Sequence, residues 1–306
     1  TVQAAFAYVK ISDGCDRFCS FCAIPYIRGR YFSREADVIL SEVRHLLEGG
    51  VREIVLIGQD TGIWGHDLPG DHNLAWLLQA VAQEVRPYGG WVRVLYLQPE
   101  GLTDELVAAI RDTPEVVKYI DIPLQHSNAE VLKNMNRTGC TSEFLEMVAR
   151  LRREVPGITL RTTALVGFPG ETNEEFQETI DLLEKVRFDS LFTFIFSPRK
   201  GTKAYDMPDV LTKEEKQKNF DRLLDVQNRI SKEKNDEYVG RRVRVLVGEE
   251  ENEKNYNNEY TKQSRTEGFK LVYLRGAEGL EGKFVDAVIE RSSTWALFGA
   301  VADEEI

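Results

Sequence analysis

Strand-like and helix-like segments alternate along the first two thirds of this chain at a regular beat, and that alternation leaves few folds open. Apolar, β-branched runs occur at residues 7–12, 53–58, 91–97, 118–124, 159–166 and 190–197. Between them lie amphipathic stretches at 34–48, 74–86, 103–111, 129–136 with 143–154, and 173–186. Strands separated by helices pair in parallel through right-handed crossovers. Six such units are too few for a closed eight-stranded barrel. The expected fold is therefore α/β, a partial open (β/α)6 TIM-like barrel with its active site at the C-terminal ends of the strands. Thr172-Asn173-Glu174-Glu175 and Thr212-Lys213-Glu214-Glu215 each match the capping box that opens a helix. Gly49-Gly50 is placed to close the first helix.

Past the sixth strand the pattern changes. The turn-rich loop Ser197-Pro198-Arg199-Lys200-Gly201-Thr202 leads to a charged helix over about 213–235, expected to be a solvated connector. From Tyr238, the segments 243–247, 270–274, 284–290 and 296–301 read as short strands between glycine-containing turns. They predict a small all-β barrel of the oligonucleotide-binding kind, with the polar stretch 249–260 as an extended loop. The expected division is residues 1–236 for the partial barrel with its connecting helix and 237–306 for the small barrel.

Charge narrows the class of partner. The 306 residues carry a formal net charge of −11, whereas a general nucleic-acid binder draws its affinity from a basic surface. An acidic surface favours a basic partner. No run approaches the roughly 20 apolar residues of a membrane span, and no signal peptide opens the chain. The expectation is a cytoplasmic protein with no membrane association, acting as a monomer. The chain begins at Thr1 without an initiator Met, which reads as a processed or truncated form.

Three of the four cysteines fall within eight positions, Cys15-Asp16-Arg17-Phe18-Cys19-Ser20-Phe21-Cys22. Such clustering in a cysteine-poor chain points to metal or redox work rather than a disulfide scaffold. The motif directly follows the first strand, which places it on a loop at the catalytic end of the barrel. Three thiolates can hold three irons of a [4Fe–4S] cluster and leave one open, whereas stable redox clusters generally use four. Zinc wants four tetrahedral ligands, usually as two pairs, and no second C-x2-C pair exists here. Cys140 is isolated and reads as a buried structural thiol.

The C-x3-C-x2-C motif on a βα series resembles the radical S-adenosylmethionine enzymes. Further segments narrow the likeness. They are Tyr8-Val9-Lys10-Ile11-Ser12-Asp13-Gly14 before the cysteines, Pro25-Tyr26-Ile27-Arg28-Gly29 after them, and Val166-Gly167-Phe168-Pro169-Gly170-Glu171-Thr172 at the fifth strand. With the Ser197–Thr202 loop and a terminal barrel similar to a TRAM domain, they resemble the methylthiotransferases, which insert an –SCH3 group into an unactivated C–H bond. The resemblance implies that Cys15, Cys19 and Cys22 hold a [4Fe–4S] cluster whose open iron binds S-adenosylmethionine. One molecule of S-adenosylmethionine then serves as radical source and a second as methyl donor. It also implies an electron donor such as flavodoxin or ferredoxin.

Two branches of that family differ in substrate. One modifies the β-carbon of an aspartate of ribosomal protein S12, the other an adenosine of tRNA. Gly58-Gln59-Asp60-Thr61 and Pro123-Leu124-Gln125-His126 look like the ribosomal-protein branch. Residues 238–306 hold 10 Lys and Arg against 13 Asp and Glu, an acidic balance suited to docking a basic ribosomal protein. The tRNA enzyme is the alternative, and a non-catalytic RNA-binding protein with a structural metal is a second. The family also carries an N-terminal domain with three more cysteines and a second [4Fe–4S] cluster. Only seven residues precede Tyr8, so the chain is expected to lack that domain and to start the radical reaction without completing methylthiolation.

The remaining candidates are cofactor contacts. Gln59 and Asp60 end the second strand, where polar groups meet the methionine end of the cofactor, and Gln125 and His126 end the fourth. Arg161 and Thr163 share one face of the fifth strand; on the lumen side, Arg161 is expected to bind a carboxylate. Gly167 allows backbone to approach the adenosine closely, and Phe21 is expected to shield the cluster or stack near the adenine. His45, His66 and His72 read as surface or packing residues.

Overall fold

The computed structural model describes residues 5–251 and 259–302. Six parallel strands form the larger unit: β1 (Phe6–Lys10), β4 (Glu53–Ile57), β5 (Trp91–Val94), β6 (Tyr119–Gln125), β7 (Thr159–Val166) and β8 (Ser190–Ile195). They run side by side in that order, β1-β4-β5 and β6-β7-β8, joined by a parallel bridge between Val92 and Val116. Helices α2 (Ala36–Glu48), α3 (Leu74–Val85), α4 (Asp104–Asp112), α5 (Ala129–Asn134), α6 (Thr141–Glu154) and α7 (Asn173–Val186) cover the outer face. Strands buried on both faces read as continuous apolar runs, as Ile-Val-Leu-Ile of β4 does after its buried Glu53. Both capping boxes form, at Thr172 and at Thr212. The expected open (β/α)6 arrangement is the one observed.

Residues of the first and last strands show that the barrel is open. Tyr8 on β1 is 50% exposed and Phe194 on β8 is 54% exposed, although both lie on the lumen face by register with Val55 and Leu165. A short antiparallel pair, β2 (Ser12–Asp13) with β3 (Phe32–Ser33), brackets the cysteine segment. It was not evident in the sequence, because two-residue strands carry no periodicity.

The C-terminal unit is a closed barrel, β10 (Lys262–Thr266), β11 (Leu271–Arg275), β13 (Leu297–Val301), β12 (Phe284–Ser292) and β9 (Arg242–Glu251). It has five strands, one more than the sequence patterning identifies. β10, Lys-Gln-Ser-Arg-Thr, alternates buried and half-buried without a single aliphatic residue. Part of the expected loop 249–260 is strand β9, and residues 252–258 lie outside the described residues.

The helix expected as a solvated connector, α8 (Lys213–Asp236), instead buries one side against the partial barrel. Its buried face includes Leu223 and Ile230 but also Asn219, Gln227, Ser231 and Asn235. Hydrogen bonds from the side-chain amides tie this face to the neighbouring segments, although Gln227 Oε1 and Asn235 Oδ1 stay buried without a partner. Gln227 Nε2 donates to the Phe188 carbonyl at 3.0 Å, and Asn219 Nδ2 donates to Asn173 Oδ1 at 2.9 Å. A face buried through polar contacts leaves no apolar stripe to read. Cys140 also differs from expectation. It is half-exposed at the N-cap of α6, with Sγ 3.1 Å from Ser142 Oγ, because a cap position sits where the chain enters the helix at the surface.

The N-terminal end of the lumen is filled by charge and aromatic rings. Arg93 Nε donates to Glu53 Oε1 at 2.6 Å, with both side chains 0% exposed. One layer up, Arg161 makes a two-point pair with Asp121, Nε to Oδ1 at 3.1 Å and Nη2 to Oδ2 at 2.9 Å. Phe269, from the turn between β10 and β11, enters from below. The guanidinium carbons of Arg93, Arg161 and Arg265 lie 4.5, 5.8 and 4.9 Å from its ring centre. The small barrel therefore plugs the partial one at the end opposite the cysteines. Glu53→Ala would strand Arg93 in this interior, and removing one partner of a buried pair costs about 3–5 kcal/mol. Urea unfolding should show a loss of that order, and a change below ~1 kcal/mol would mean that Tyr119 and Phe269 alone support Arg93.

Candidate functional site

The cysteine segment is closed at its base by the β2–β3 pair. Gly14 makes this possible. Its φ is +71°, and a Cβ there would sit 2.0 Å from the Arg30 carbonyl oxygen, so only glycine lets the two sides of the loop meet. Cys15 N–H donates to the Gly29 carbonyl at 3.2 Å, and Cys22 N–H donates to the Cys19 carbonyl at 2.9 Å. Helix α1 (Ile24–Arg28) follows, with Pro25 in its first turn.

All three cysteines are free thiols; Cys15 is buried, and Cys19 and Cys22 are half-buried. Burial pushes the Cys15 and Cys22 thiols up, and the charge of Cys19 acts in the same direction on both. A cation or a metal cluster is the kind of partner that reverses such a shift and keeps thiolates ionised. Among the described residues, no three His, Cys, Asp or Glu side chains converge as ligands of a single metal ion. Three thiolates that each bind a different iron of a cluster need no such convergence. Three free sulfurs on one loop, with no fourth cysteine beside them, fit a cluster with one iron left open.

Around this loop the C-terminal strand ends supply polar groups. Asp60, just after β4, is 0% exposed; its Oδ2 accepts from Arg17 Nε at 2.7 Å while its Oδ1 has no partner. Burial pushes the Asp60 carboxyl up against the opposing pull of Arg17. Arg17 also pairs with Glu100 at 3.0 Å, so a residue inside the cysteine motif ties the loop to the ends of β4 and β5. The neighbouring Gln59 leaves its Oε1 buried and without a partner. Phe21 is half-buried against the main core.

At the end of β6 the backbone is irregular. Pro123 has no N–H to donate, and the β6–β7 register shifts between Ile122 and Gln125. Thr162 repairs the break, its Oγ1 donating to the Ile122 carbonyl at 2.7 Å and accepting from Leu124 N–H at 3.2 Å. Gln125 then adopts φ 74°. His126 is buried, with Nδ1 accepting from Asn128 N–H at 3.0 Å and Nε2 3.5 Å from Glu171 Oε1. Arg161 and half-buried Thr163 both face the lumen, Thr163 in register with Phe192. The carboxylate that Arg161 binds is that of Asp121.

Gly167 opens the turn expected to approach the adenosine. Its φ is +72°, it is buried, and a Cβ there would lie 2.6 Å from Lys216 Cγ and Cδ. The aliphatic stem of Lys216 on α8 fills the space the glycine leaves. Glu171 holds the same turn, its Oε2 accepting from the N–H groups of Gly167 and, at 2.9 Å, of Phe168. Sequence reasoning missed Arg17, Glu100, Glu171 and Lys216 as contributors. Arg17 and Glu171 lie inside motifs already singled out, whereas nothing local marks the others. Left-handed strain alone makes Gly167→Ala cost more than ~1 kcal/mol. In a double-mutant cycle that cost should shrink, without vanishing, in a Lys216→Ala background; an unchanged cost would mean that the two residues do not press on one another.

Residues 9–183 match the Radical SAM superfamily. The ribosomal protein uS12 methylthiotransferase RimO of Carboxydothermus hydrogenoformans is 42% identical, covering 79% of this chain and 55% of that protein. The tRNA-2-methylthio-N(6)-dimethylallyladenosine synthase of Acetivibrio thermocellus is 40% identical over 96% of this chain and 60% of its own length. For the uS12 methylthiotransferase RimO of a Synechocystis strain the figures are 39%, 99% and 68%. The chain thus spans from about half to about two thirds of these relatives. Among solved structures, the radical S-adenosylmethionine methyltransferase TsrM from Kitasatospora setae aligns at TM-score 0.55 and 19% identity, covering 65% of this chain and 38% of that one. Coproporphyrinogen III oxidase HemN from Escherichia coli aligns at 0.53 and 16%, covering 74% and 52%. At these identities the structures show likeness of fold.

Proposed function

The chain belongs to the radical SAM superfamily and within it to the methylthiotransferase family, and on that premise we propose that it is the radical-generating part of an enzyme that adds a methylthio group to the β-carbon of an aspartate in ribosomal protein S12. The observation that carries the reading is the set of three free thiols on one loop at the C-terminal mouth of an open (β/α)6 barrel.

Cys15, Cys19 and Cys22 are the residues that would hold the [4Fe–4S] cluster. When bound, that cluster supplies the electron that cleaves S-adenosylmethionine to methionine and a 5′-deoxyadenosyl radical. Gln59 and Asp60 offer buried, unpartnered oxygens at the mouth, suited to the amino end of the cofactor. Arg17 keeps the Asp60 carboxylate oriented. Thr163 and Gln125 line the lumen and its rim, and Glu171 keeps the 167–170 turn in place beside them. The exposed Tyr8, Phe192 and Phe194 leave an apolar mouth through which a peptide can enter. Phe21 screens the cysteine loop from the core side. The division into residues 1–236 and 237–306 belongs to this reading, with the acidic small barrel as the docking face for a basic protein. So does a second cluster, held by a further domain of the whole protein, and electron supply from a flavodoxin or ferredoxin.

Identity of 40% to a tRNA-modifying relative over 96% of the chain favours a second reading, the same chemistry on a tRNA adenosine. Anaerobic reconstitution should yield about four iron and four sulfide per chain. With dithionite and S-adenosylmethionine it should yield 5′-deoxyadenosine, and both should be lost in Cys15→Ala, Cys19→Ala or Cys22→Ala but kept in Cys140→Ala. A zinc-loaded, colourless product that never yields 5′-deoxyadenosine would sink the radical reading. Methylthiolation by the whole protein, offered uS12 and tRNA in parallel, decides the substrate: modified aspartate supports this reading and modified adenosine the other.

A further inference from the structure

Resting on the reading of Cys15, Cys19 and Cys22 as cluster ligands, we infer that Arg137 is a positioning residue that holds the Cys19 sulfur and raises the reduction potential of the cluster. Residues 134–138, from the last residue of α5 into the link to α6, lie against the cysteine loop. The Asn134 carbonyl accepts from Ser20 Oγ at 2.7 Å and the Met135 carbonyl from Ser20 N–H at 2.9 Å. Asn136, at φ 58°, donates through Nδ2 to the carbonyls of Arg17 and Phe18 at 3.0 and 3.1 Å. These four bonds fix the backbone on both sides of Cys19 with neutral groups.

Arg137 adds charge. Its Nη2 donates to Gln98 Oε1 and to the Pro123 carbonyl, each at 2.7 Å. The second acceptor lies within the irregular stretch of β6. Held from two strand ends, the guanidinium brings Nη1 to 3.9 Å from Cys19 Sγ, while Nε is buried without a hydrogen-bond partner. Both Nη2 acceptors are neutral, and the carboxylate that feels this charge, Glu100, is already shared between Arg17 and Thr138. Hydrogen bonds to ligating sulfurs and local net charge set the potentials of iron–sulfur centres, and a half-buried setting weakens screening. A fixed cation at one thiolate stabilises the reduced, more negative state.

The test uses the full chain, reconstituted anaerobically, in wild-type, Arg137→Gln, Arg137→Lys and Asn136→Ala forms. Iron and sulfide are counted, and the cluster potential is followed by EPR during redox titration. Arg137→Gln should keep its iron and shift to a more negative potential, Arg137→Lys should recover most of the shift, and Asn136→Ala should stay near wild type. An Arg137→Gln potential equal to wild type overturns the assignment, as does an Asn136→Ala shift of the same size, which would make loop order the cause. If Arg137→Gln loses iron while Arg137→Lys keeps both iron and potential, the charge assignment stands; loss of iron from both variants overturns it in favour of a purely structural role. Wild-type chain without an EPR-active cluster instead overturns the ligand reading underneath, a result separate from any shift among the variants.

Discussion

Six parallel strands that do not close leave a lumen with one end to be sealed and one to stay accessible. Here the seal is the buried Glu53–Arg93 pair, the Asp121–Arg161 pair above it and the Phe269 ring inserted from the C-terminal barrel. Desolvated charges are tolerated because each guanidinium has a carboxylate and an aromatic face, which offsets part of the cost of leaving water. An aliphatic plug would fill the same space without relating the two units. The mixed one makes the small barrel part of the floor of the large one.

With the floor closed, chemistry is confined to the other end, where residues at the ends of β4, β5 and β6 hold the cysteine loop directly or through Arg137. β4 brings Asp60, the segment after β5 brings Gln98 and Glu100, β6 brings the Pro123 carbonyl, and residues 134–138 bring their backbone and Asn136. The loop is held by the barrel more than by itself. Its own bonds are few, such as those from Cys15 and Cys22 N–H, and others reach segments as distant as Ala204, whose N–H donates to the Ser20 carbonyl at 2.8 Å. Arg17 shows why its place inside the motif matters: it joins the loop to two strand ends at once.

The strands and helices of the larger unit were legible because each is long, periodic and punctuated. The helix predicted over 173–186 is α7 (Asn173–Val186), capped by Thr172 as its sequence indicates. Elements that escaped share another trait. The buried side of α8 is lined partly by amides and hydroxyls, and β10 has no aliphatic residue, so neither shows an apolar pattern. Their burial depends on hydrogen-bond partners from distant segments, and hydropathy cannot register a partner.

The cysteines with which the site begins are a local pattern, since ligand spacing along a loop is a property of consecutive residues. Sequence alone therefore determined the open barrel, the terminal barrel and the three thiols at the mouth. Tertiary structure alone decided the rest. It committed Arg161 to Asp121, filled the space at Gly167 with Lys216, brought Cys140 to a half-exposed cap, and set Arg137 beside Cys19. Each of these depends on which residues far apart in the chain share one small volume, and that is settled only when the strands take their order and register.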